Sequence, residues 1–408
     1  MASLTRKEAI IIVGTGDYYR NILSLSLLKL QKEGRVQILA TVSRSEKGKI
    51  KGIPHLLRAP GTPLHHVLAE LKKYQPLVLL GHSNELHTSD ASDLVYAGFR
   101  VLVEKPYCTS AAQLRAMRTL IRRYPNRVVL VEYYLMMKTL PLLLLGGKIR
   151  KNSFYTKKVG VLKYYPSFKL NARAHVLNDL IGVPRQIYVD LLEGEGAIGT
   201  LKHRGIALTD IKKGGGMIQD LGIHALVPLF ALEDYIGTID PTFRKAIVRS
   251  ARCLQYLREM KKKFNLPETR IAETYAELEF KTSIGIPVFA ALGKYLPKNA
   301  NQRRIIIIGS EGRLYLDLSS CTLYLSQREN PETAMLTCPK KSATKYYPVL
   351  RAALEMLAGN TPFTFDSTKV ILNTQQFILN AVAKSQTHAA HGGYFTYRQG
   401  AAPHAIFK

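Results

Sequence analysis

The sequence predicts an α/β protein in two parts, a doubly wound parallel sheet followed by a domain with a large open, mostly antiparallel sheet. Two observations carry this. In the first third, short β-branched runs alternate with helical patterns, and the first run ends in Gly14-Thr15-Gly16. From about residue 183 the texture changes to closely spaced strands joined by tight turns. The expected division is therefore 1–134 and 135–408.

The elements follow in order. Residues 9–13 form a strand, and a helical pattern over 21–33 stops at Gly34, a residue suited to the left-handed position after a helix. Residues 36–42, 77–80, 101–103 and 128–132 read as further buried strands, with helices such as 111–122 between them. Parallel packing is the economical solution for such alternation. In the second part 185–192, 274–281, 288–292, 304–308, 314–316 and 322–325 are strand-like, with a tight turn at Gly309-Ser310-Glu311-Gly312. Residues 217–229 read as an apolar helix, and 349–358 and 368–383 as a helical tail.

A chain of 408 residues, 46% apolar, can fill two cores. No run approaches the roughly 20 apolar residues that cross a bilayer, and Leu142–Leu145 is stopped by Gly146-Gly147. The charged start runs directly into a strand, unlike a cleavable signal peptide, so a soluble, cytoplasmic protein without membrane contact is expected. Cys108, Cys253, Cys321 and Cys338 are widely spaced, which argues against a disulfide framework or a zinc site and leaves no metal expected. The 58 Lys and Arg outnumber 30 Asp and Glu, a formal +28, so anionic partners are implied. The basic residues are spread along the chain with no nucleic-acid reader motif, and a phosphorylated small molecule explains them more simply than nucleic acid does.

Gly14-X-Gly16 after a first strand begins a dinucleotide fingerprint, in which glycine lets backbone approach a pyrophosphate at a helix N-terminus. The fingerprint is incomplete: Asp17 and Tyr18 follow, and Tyr19 or its neighbour stands where a third glycine belongs. The second strand ends in Ser43-Arg44, where an NAD enzyme places an acid on the ribose 2′-hydroxyl; a hydroxyl and a guanidinium suit a 2′-phosphate. NADP is thus favoured over NAD. The competing reading of Arg44 is an ordinary solvated loop.

Further motifs follow in a fixed order. The strand at 77–80 leads to Ser83-Asn84-X-X-His87, and the one at 101–103 closes in Glu104-Lys105-Pro106. Gly214-Gly215-Gly216 then leads to Asp220-X-X-X-His224. Together with the late Gly309-X-X-Gly312 turn, these resemble the glucose-fructose oxidoreductase and inositol dehydrogenase family (Gfo/Idh/MocA). The resemblance implies a Rossmann domain followed by an α/β substrate and oligomerisation domain, and a homo-oligomer, dimer or tetramer. It implies His224 as acid/base, Lys105 polarising the reacting oxygen at the nicotinamide end, and Asp220 positioning substrate. Gly14, Thr15, Gly16, Asp17, Tyr18, Ser43, Arg44, Ser83, Asn84, His87, Glu104 and Lys105 would hold the cofactor. Taken singly, Lys105 reads as a solvated strand end, His224 as a satisfied histidine on an apolar helix, and His87 as a helix cap.

The chain also departs from the family pattern. Ser83 replaces a common proline, and an arginine often found after the sixth strand is missing from residues 133–138. An apparent insertion over about 142–182 carries eight Lys/Arg against one acid and includes Lys163, Tyr164 and Tyr165. Aromatic faces and cations of this kind suit an anionic or nucleotide-linked sugar, although an oligomer contact or a surface lobe would use the same residues. The leading expectation is an NAD(P)-dependent oxidoreductase acting on the hydroxyl or carbonyl carbon of a polyol, sugar or anionic sugar. Two alternatives stay open: a redox-neutral glycosidase, lyase or epimerase that retains its cofactor, and a non-catalytic cofactor-binding protein associated with polyanions.

Overall fold

The structure is a computed structural model that describes residues 7–16, 19, 23–149, 163–164, 177–194, 205–296, 300–327, 330–337, 346–388 and 393–395. The chain divides into two units, Met1–Tyr133 with Lys341–Pro362, and Tyr134–Lys340 with Phe363–Lys408.

The first unit is a six-stranded sheet in the order β3-β2-β1-β4-β5-β6, with every neighbouring pair parallel. Its strands are β1 (Glu8–Val13), β2 (Val36–Ser43), β3 (His55–Leu57), β4 (Leu77–Leu80), β5 (Arg100–Val103) and β6 (Val128–Leu130). All four residues of β4 are buried, as expected of a parallel sheet covered on both faces. The strand order reverses between β1 and β4, so the loops leaving these strands diverge and open a crevice. Gly14 stands there at φ 95°, and a Cβ on it would lie 2.8 Å from the Gly81 carbonyl oxygen. Where the fingerprint lacks its third glycine, Tyr19 is buried instead. The helices α1 (Ser24–Lys32), α2 (His87–Tyr96) and α3 (Ala111–Arg123) belong to this unit. So does α5 (Tyr347–Leu357), which packs on α1. The Tyr347 hydroxyl donates to Glu33 at 2.7 Å, and Lys29 Nζ lies 4.3 Å from the Tyr347 ring centre.

The second unit is a ten-stranded sheet in the order β16-β9-β10-β11-β8-β12-β13-β14-β15-β7. It is antiparallel except for the pairs β11·β8 and β16·β9. The strands are β7 (Lys163–Tyr164), β8 (Pro184–Gly194), β9 (Ile247–Cys253), β10 (Tyr275–Lys281), β11 (Pro287–Leu296), β12 (Gln302–Gly309), β13 (Gly312–Asp317), β14 (Thr322–Gln327), β15 (Asn330–Thr337) and β16 (Gly393–Phe395). The tight turn at 309–312 joins β12 to β13 as its sequence suggests. The helix α4 (Met217–Ala231) packs on β8, β10 and β11, and α6 (Ser367–His388) packs on α4. Phe377 of α6 is 1% exposed and meets the rings of Phe230, Phe243 and Phe280 at 5.9, 4.5 and 4.8 Å.

Strand alternation leaves a second set of side chains on one face of this sheet. Phe289, Tyr188, Ile306, Tyr315 and Tyr324 are direct cross-strand partners running from β11 to β14, and all five are half-buried. No helix among the described residues is long and apolar enough to cross a membrane.

Sequence periodicity does not reveal β9, because Arg249 and Arg252 interrupt its apolar run. The structure resolves why they are tolerated. Arg249 stays half in solvent near Glu277 and Glu279, at 3.7 and 3.8 Å, and the buried Arg252 donates to the Ile271 carbonyl at 2.8 Å. The four-ring cluster yields a stability prediction. Phe377→Ala should cost about 3–5 kcal/mol, read by urea denaturation followed through circular dichroism.

Candidate active site

In the first unit, β5 delivers Glu104, Lys105 and Pro106 to the carboxyl edge of the parallel sheet. Glu104 is buried and held from two sides. The Tyr346 hydroxyl donates to its Oε1 at 2.5 Å, and the Lys105 backbone N–H donates to its Oε2 at 3.1 Å. Tyr346 stacks on Tyr133 with ring centres 5.1 Å apart. Lys105 is half-buried, and the Lys105–Pro106 peptide is cis.

Beneath this strand end, His87 opens α2 at 1% exposure, with Nδ1 2.8 Å from the Pro106 carbonyl oxygen. A carbonyl only accepts, so Nδ1 carries the proton. Burial, then the charge of His82, pushes the His87 pKa down to about 3, and the ring stays neutral. Its observed contact therefore ties α2 to the Lys105 loop. His82 stacks on His87 at 5.3 Å and contacts Asp90 at 2.5 Å. Burial opposes ionisation of Asp90, but hydrogen bonds from His82 and Arg58 outweigh it and lower its pKa to about 2. Ser83 and Asn84 are half-buried at the head of the short turn before α2.

A cleft at the strand-order reversal is lined by Val13, Gly14, Gly81, Leu102, Glu104 and Leu350. Beside Gly14, Thr15 is 3% exposed and its hydroxyl has no partner among the described residues. Gly16 and Arg44 are exposed, and Ser43 closes β2. Asp17 and Tyr18 lie outside the described residues. Open space at Gly16, where a Cβ would meet nothing within 4 Å, and a buried hydroxyl without a partner among the described residues fit a dinucleotide whose phosphates need both close backbone approach and donors.

In the second unit, three glycines introduce α4. Gly216 has φ 112°, and a Cβ on it would come within 2.5 Å of the Glu273 carboxylate, so only glycine lets that carboxylate reach the helix. Glu273 Oε1 accepts from Ile218 N–H at 2.9 Å, satisfying a donor that a helix start leaves open. Burial raises the Glu273 pKa to about 7 against the pull of these backbone donors. Along α4 every residue but His224 is buried.

Asp220, 5% exposed, receives the Lys294 ammonium at 2.5 Å. Lys294 is itself 4% exposed on β11 and also lies 3.5 Å from Glu193, which Arg303 meets at 3.1 Å. One helical turn beyond Asp220, the half-buried His224 stacks on Tyr134 with ring centres 4.5 Å apart. Tyr134 sits in a π-helical turn, Tyr134–Lys138, a deformation that recurs at functional sites.

The sequence-predicted catalytic residues thus fall in both units: Lys105 in the first, Asp220 and His224 together on one helix of the second. Lys163 and Tyr164 form the edge strand β7 against β15, while Tyr165 lies outside the described residues. Sequence reading missed Lys294, Glu273, Tyr346 and Tyr134. Lys294 left a usable signal, a lone lysine in the otherwise apolar strand PVFAALGKYL.

No family model and no curated protein sequence matches the chain. Solved structures do. A 3-ketoreductase from Actinomadura kijaniata, in complex with NADP and TDP-benzene, has a TM-score of 0.64 at 14% identity, covering 96% of this chain and 100% of that one. The UDP-N-acetylglucosamine 3-dehydrogenase of Acidithiobacillus ferrooxidans gives 0.58 at 13%, covering 94% and 99%. Biliverdin reductase from Synechocystis sp. PCC 6803, solved with biliverdin and NADP+, gives 0.57 at 16%, covering 93% and 98%. At these identities the likeness is one of fold: a Rossmann unit joined to an α/β unit with a broad sheet.

Two predictions follow from the α4 environment. Lys294→Met removes the ammonium that meets the buried Asp220 carboxylate and should cost about 3–5 kcal/mol by chemical denaturation, with much of it recovered in Lys294→Met/Asp220→Leu. Glu273 has a folded pKa of about 7 above its ordinary 4.5, so its contribution is full below pH 4.5 and fades as pH rises through 7. Wild type should lose stability relative to Glu273→Gln over that window, measured by thermal melts across pH.

Proposed function

We propose that the protein is an NADP-dependent oxidoreductase that transfers a hydride between nicotinamide and a hydroxyl or carbonyl carbon of an anionic, sugar-like small molecule, nucleotide-linked or phosphorylated. One observation carries the reading. A fold matched over 96% of this chain to an NADP-bound 3-ketoreductase holds Lys105 at the end of β5 and Asp220 with His224 on α4. Two of the three similar structures described above are enzymes named for work at the 3-position, one of them on a UDP-sugar. The net charge of +28 favours an anionic substrate.

The residues divide the work as follows. NADPH, when bound, supplies the hydride. The Lys105 ammonium donates to the substrate carbonyl oxygen and offsets the negative charge that develops there. His224 gives its imidazolium proton to that oxygen in reduction and takes it back in oxidation. Asp220, which meets the Lys294 ammonium, orients the imidazole or a neighbouring substrate hydroxyl. Gly14, Thr15, Gly16, Asp17 and Tyr18 would line the pyrophosphate, Ser43 and Arg44 the 2′-phosphate, and Ser83, Asn84, His87 and Glu104 the strand ends around the nicotinamide. Lys163, Tyr164 and Tyr165 would meet the anionic part of the substrate.

Self-association as a dimer or tetramer is supported by the half-buried row Phe289, Tyr188, Ile306, Tyr315 and Tyr324 on the open sheet. Turnover is tested by NADPH absorbance with a keto-sugar nucleotide. Lys105→Ala and His224→Ala should each lower kcat by about 10²–10⁴-fold, and His224→Ala should keep NADPH affinity. Unchanged turnover in both variants would refute the assignment.

A further inference from the structure

We infer that the amino-terminal edge of the parallel sheet in the first unit binds single-stranded nucleic acid, through a surface on which cations are interleaved with tyrosine rings. The inference is independent of the NADP reading, which uses the opposite, carboxyl edge of the same sheet.

The topology gathers what the sequence scatters. The 3₁₀ segment Ala69–Tyr74 leads into β4, α2 into β5 and α3 into β6, and these three strands lie side by side. Each segment therefore delivers its last residues to one edge. The first brings Lys72, Lys73 and Tyr74, the second Tyr96, and the third Arg122 and Arg123, with Tyr124 and Arg127 following before β6. Tyr74 is 48% exposed and Tyr96 60%. The rings sit among the cations: Lys73 Nζ lies 5.4 Å from the Tyr74 ring centre, Arg123 Cζ lies 5.6 Å from that of Tyr124, and Tyr124 meets Tyr96 edge to face at 5.9 Å. Open rings on which bases stack, beside cations that meet phosphates, are what a single strand requires.

A second observation points to an anion. Gly98, between α2 and β5, marks an open spot bordered by two cations. A Cβ there would find nothing nearer than 3.5 Å, the distance of Arg127 Nη1, with Lys72 Nζ at 3.8 Å. Like charges so placed repel until an anion comes between them. No carboxylate among the described residues does this. Glu8 is taken by Arg100 and Asp93 by His65, while the exposed Glu70 forms no ion pair with Lys72, Lys73, Arg122, Arg123 or Arg127.

Cations in the last turn of a helix also offset its dipole, but that dipole amounts to only about half a charge. The helix α3 carries Arg115, Arg118, Arg122 and Arg123 and no acid, and Arg127 follows it, so most of the excess remains. An acidic protein or an anionic membrane would use these cations without the rings. Nucleic acid uses both.

The test is fluorescence anisotropy of a labelled oligothymidylate of about 20 nucleotides, titrated with the full-length protein across a salt series. Lys72→Gln/Arg122→Gln/Arg123→Gln should lose at least about tenfold in affinity and flatten the logarithmic salt slope by about 2, at roughly 0.7 per phosphate contact removed. Arg258→Gln/Lys261→Gln/Lys262→Gln removes three exposed charges from the helix Leu254–Phe264 and should stay within about threefold of wild type. Tyr74→Ser/Tyr96→Ser should lose about tenfold with the salt slope unchanged. All of the substituted side chains are exposed, and circular dichroism melts of the variants should match wild type. Equal losses in the two charge variants would assign binding to the field of the whole protein and overturn the proposal. So would a tyrosine variant that binds like wild type, which would point to an acidic protein or a membrane, or a wild type that does not bind the oligonucleotide.

Discussion

An aspartate enclosed on a helix that is apolar on nearly every side needs partners for its carboxylate, and in this protein Lys294 supplies one. The helix α4 buries all its residues except His224, so each polar group it carries must be answered from the sheet beneath. Lys294 of β11 answers Asp220, Glu193 and Arg303 extend the alternation of charge, and Glu273 answers the first backbone donors. The tri-glycine turn follows from the same demand, since a side chain at Gly216 would displace the Glu273 carboxylate. What begins as a packing problem leaves one imidazole half-exposed at a fixed place, stacked on Tyr134.

The first unit is organised around a different constraint, the close approach of backbone to backbone where the strand order reverses. Gly14 touches the Gly81 turn, Glu104 is clasped by Tyr346, and His87 is spent as a neutral donor to the Pro106 carbonyl. These contacts fix the segment that carries Lys105. Each unit thus presents polar groups whose positions are set by buried neighbours, a condition for a site that must hold reacting atoms in register.

Much of the fold was legible because hydrophobic runs and turn residues mark it directly. β4 coincides with the apolar run 77–80, and the 309–312 turn falls between β12 and β13. β9 was hidden by its arginines, and the short β3 by a histidine and polar flanks. That α5 returns to the first unit was unreadable, because nothing local in 347–357 says which sheet it will cover. The site was legible where chemistry lies in short motifs, as in Glu104-Lys105-Pro106 and Asp220-X-X-X-His224. It was not legible where partners come from distant strands: Lys294 is 74 positions from Asp220, and Tyr346 is 242 from Glu104. His87 shows the converse, a motif residue whose observed contact is structural.

The proposed hydride transfer requires both Lys105 and His224 to act on one substrate. A crystal structure of the NADPH complex tests it most directly. The account predicts the nicotinamide C4 facing a substrate-sized space bordered by both the Lys105 ammonium and the His224 imidazole, each within about 4–5 Å of the reacting centre. An imidazole turned away from the ring, or a nicotinamide bound out of reach of Lys105, would contradict it.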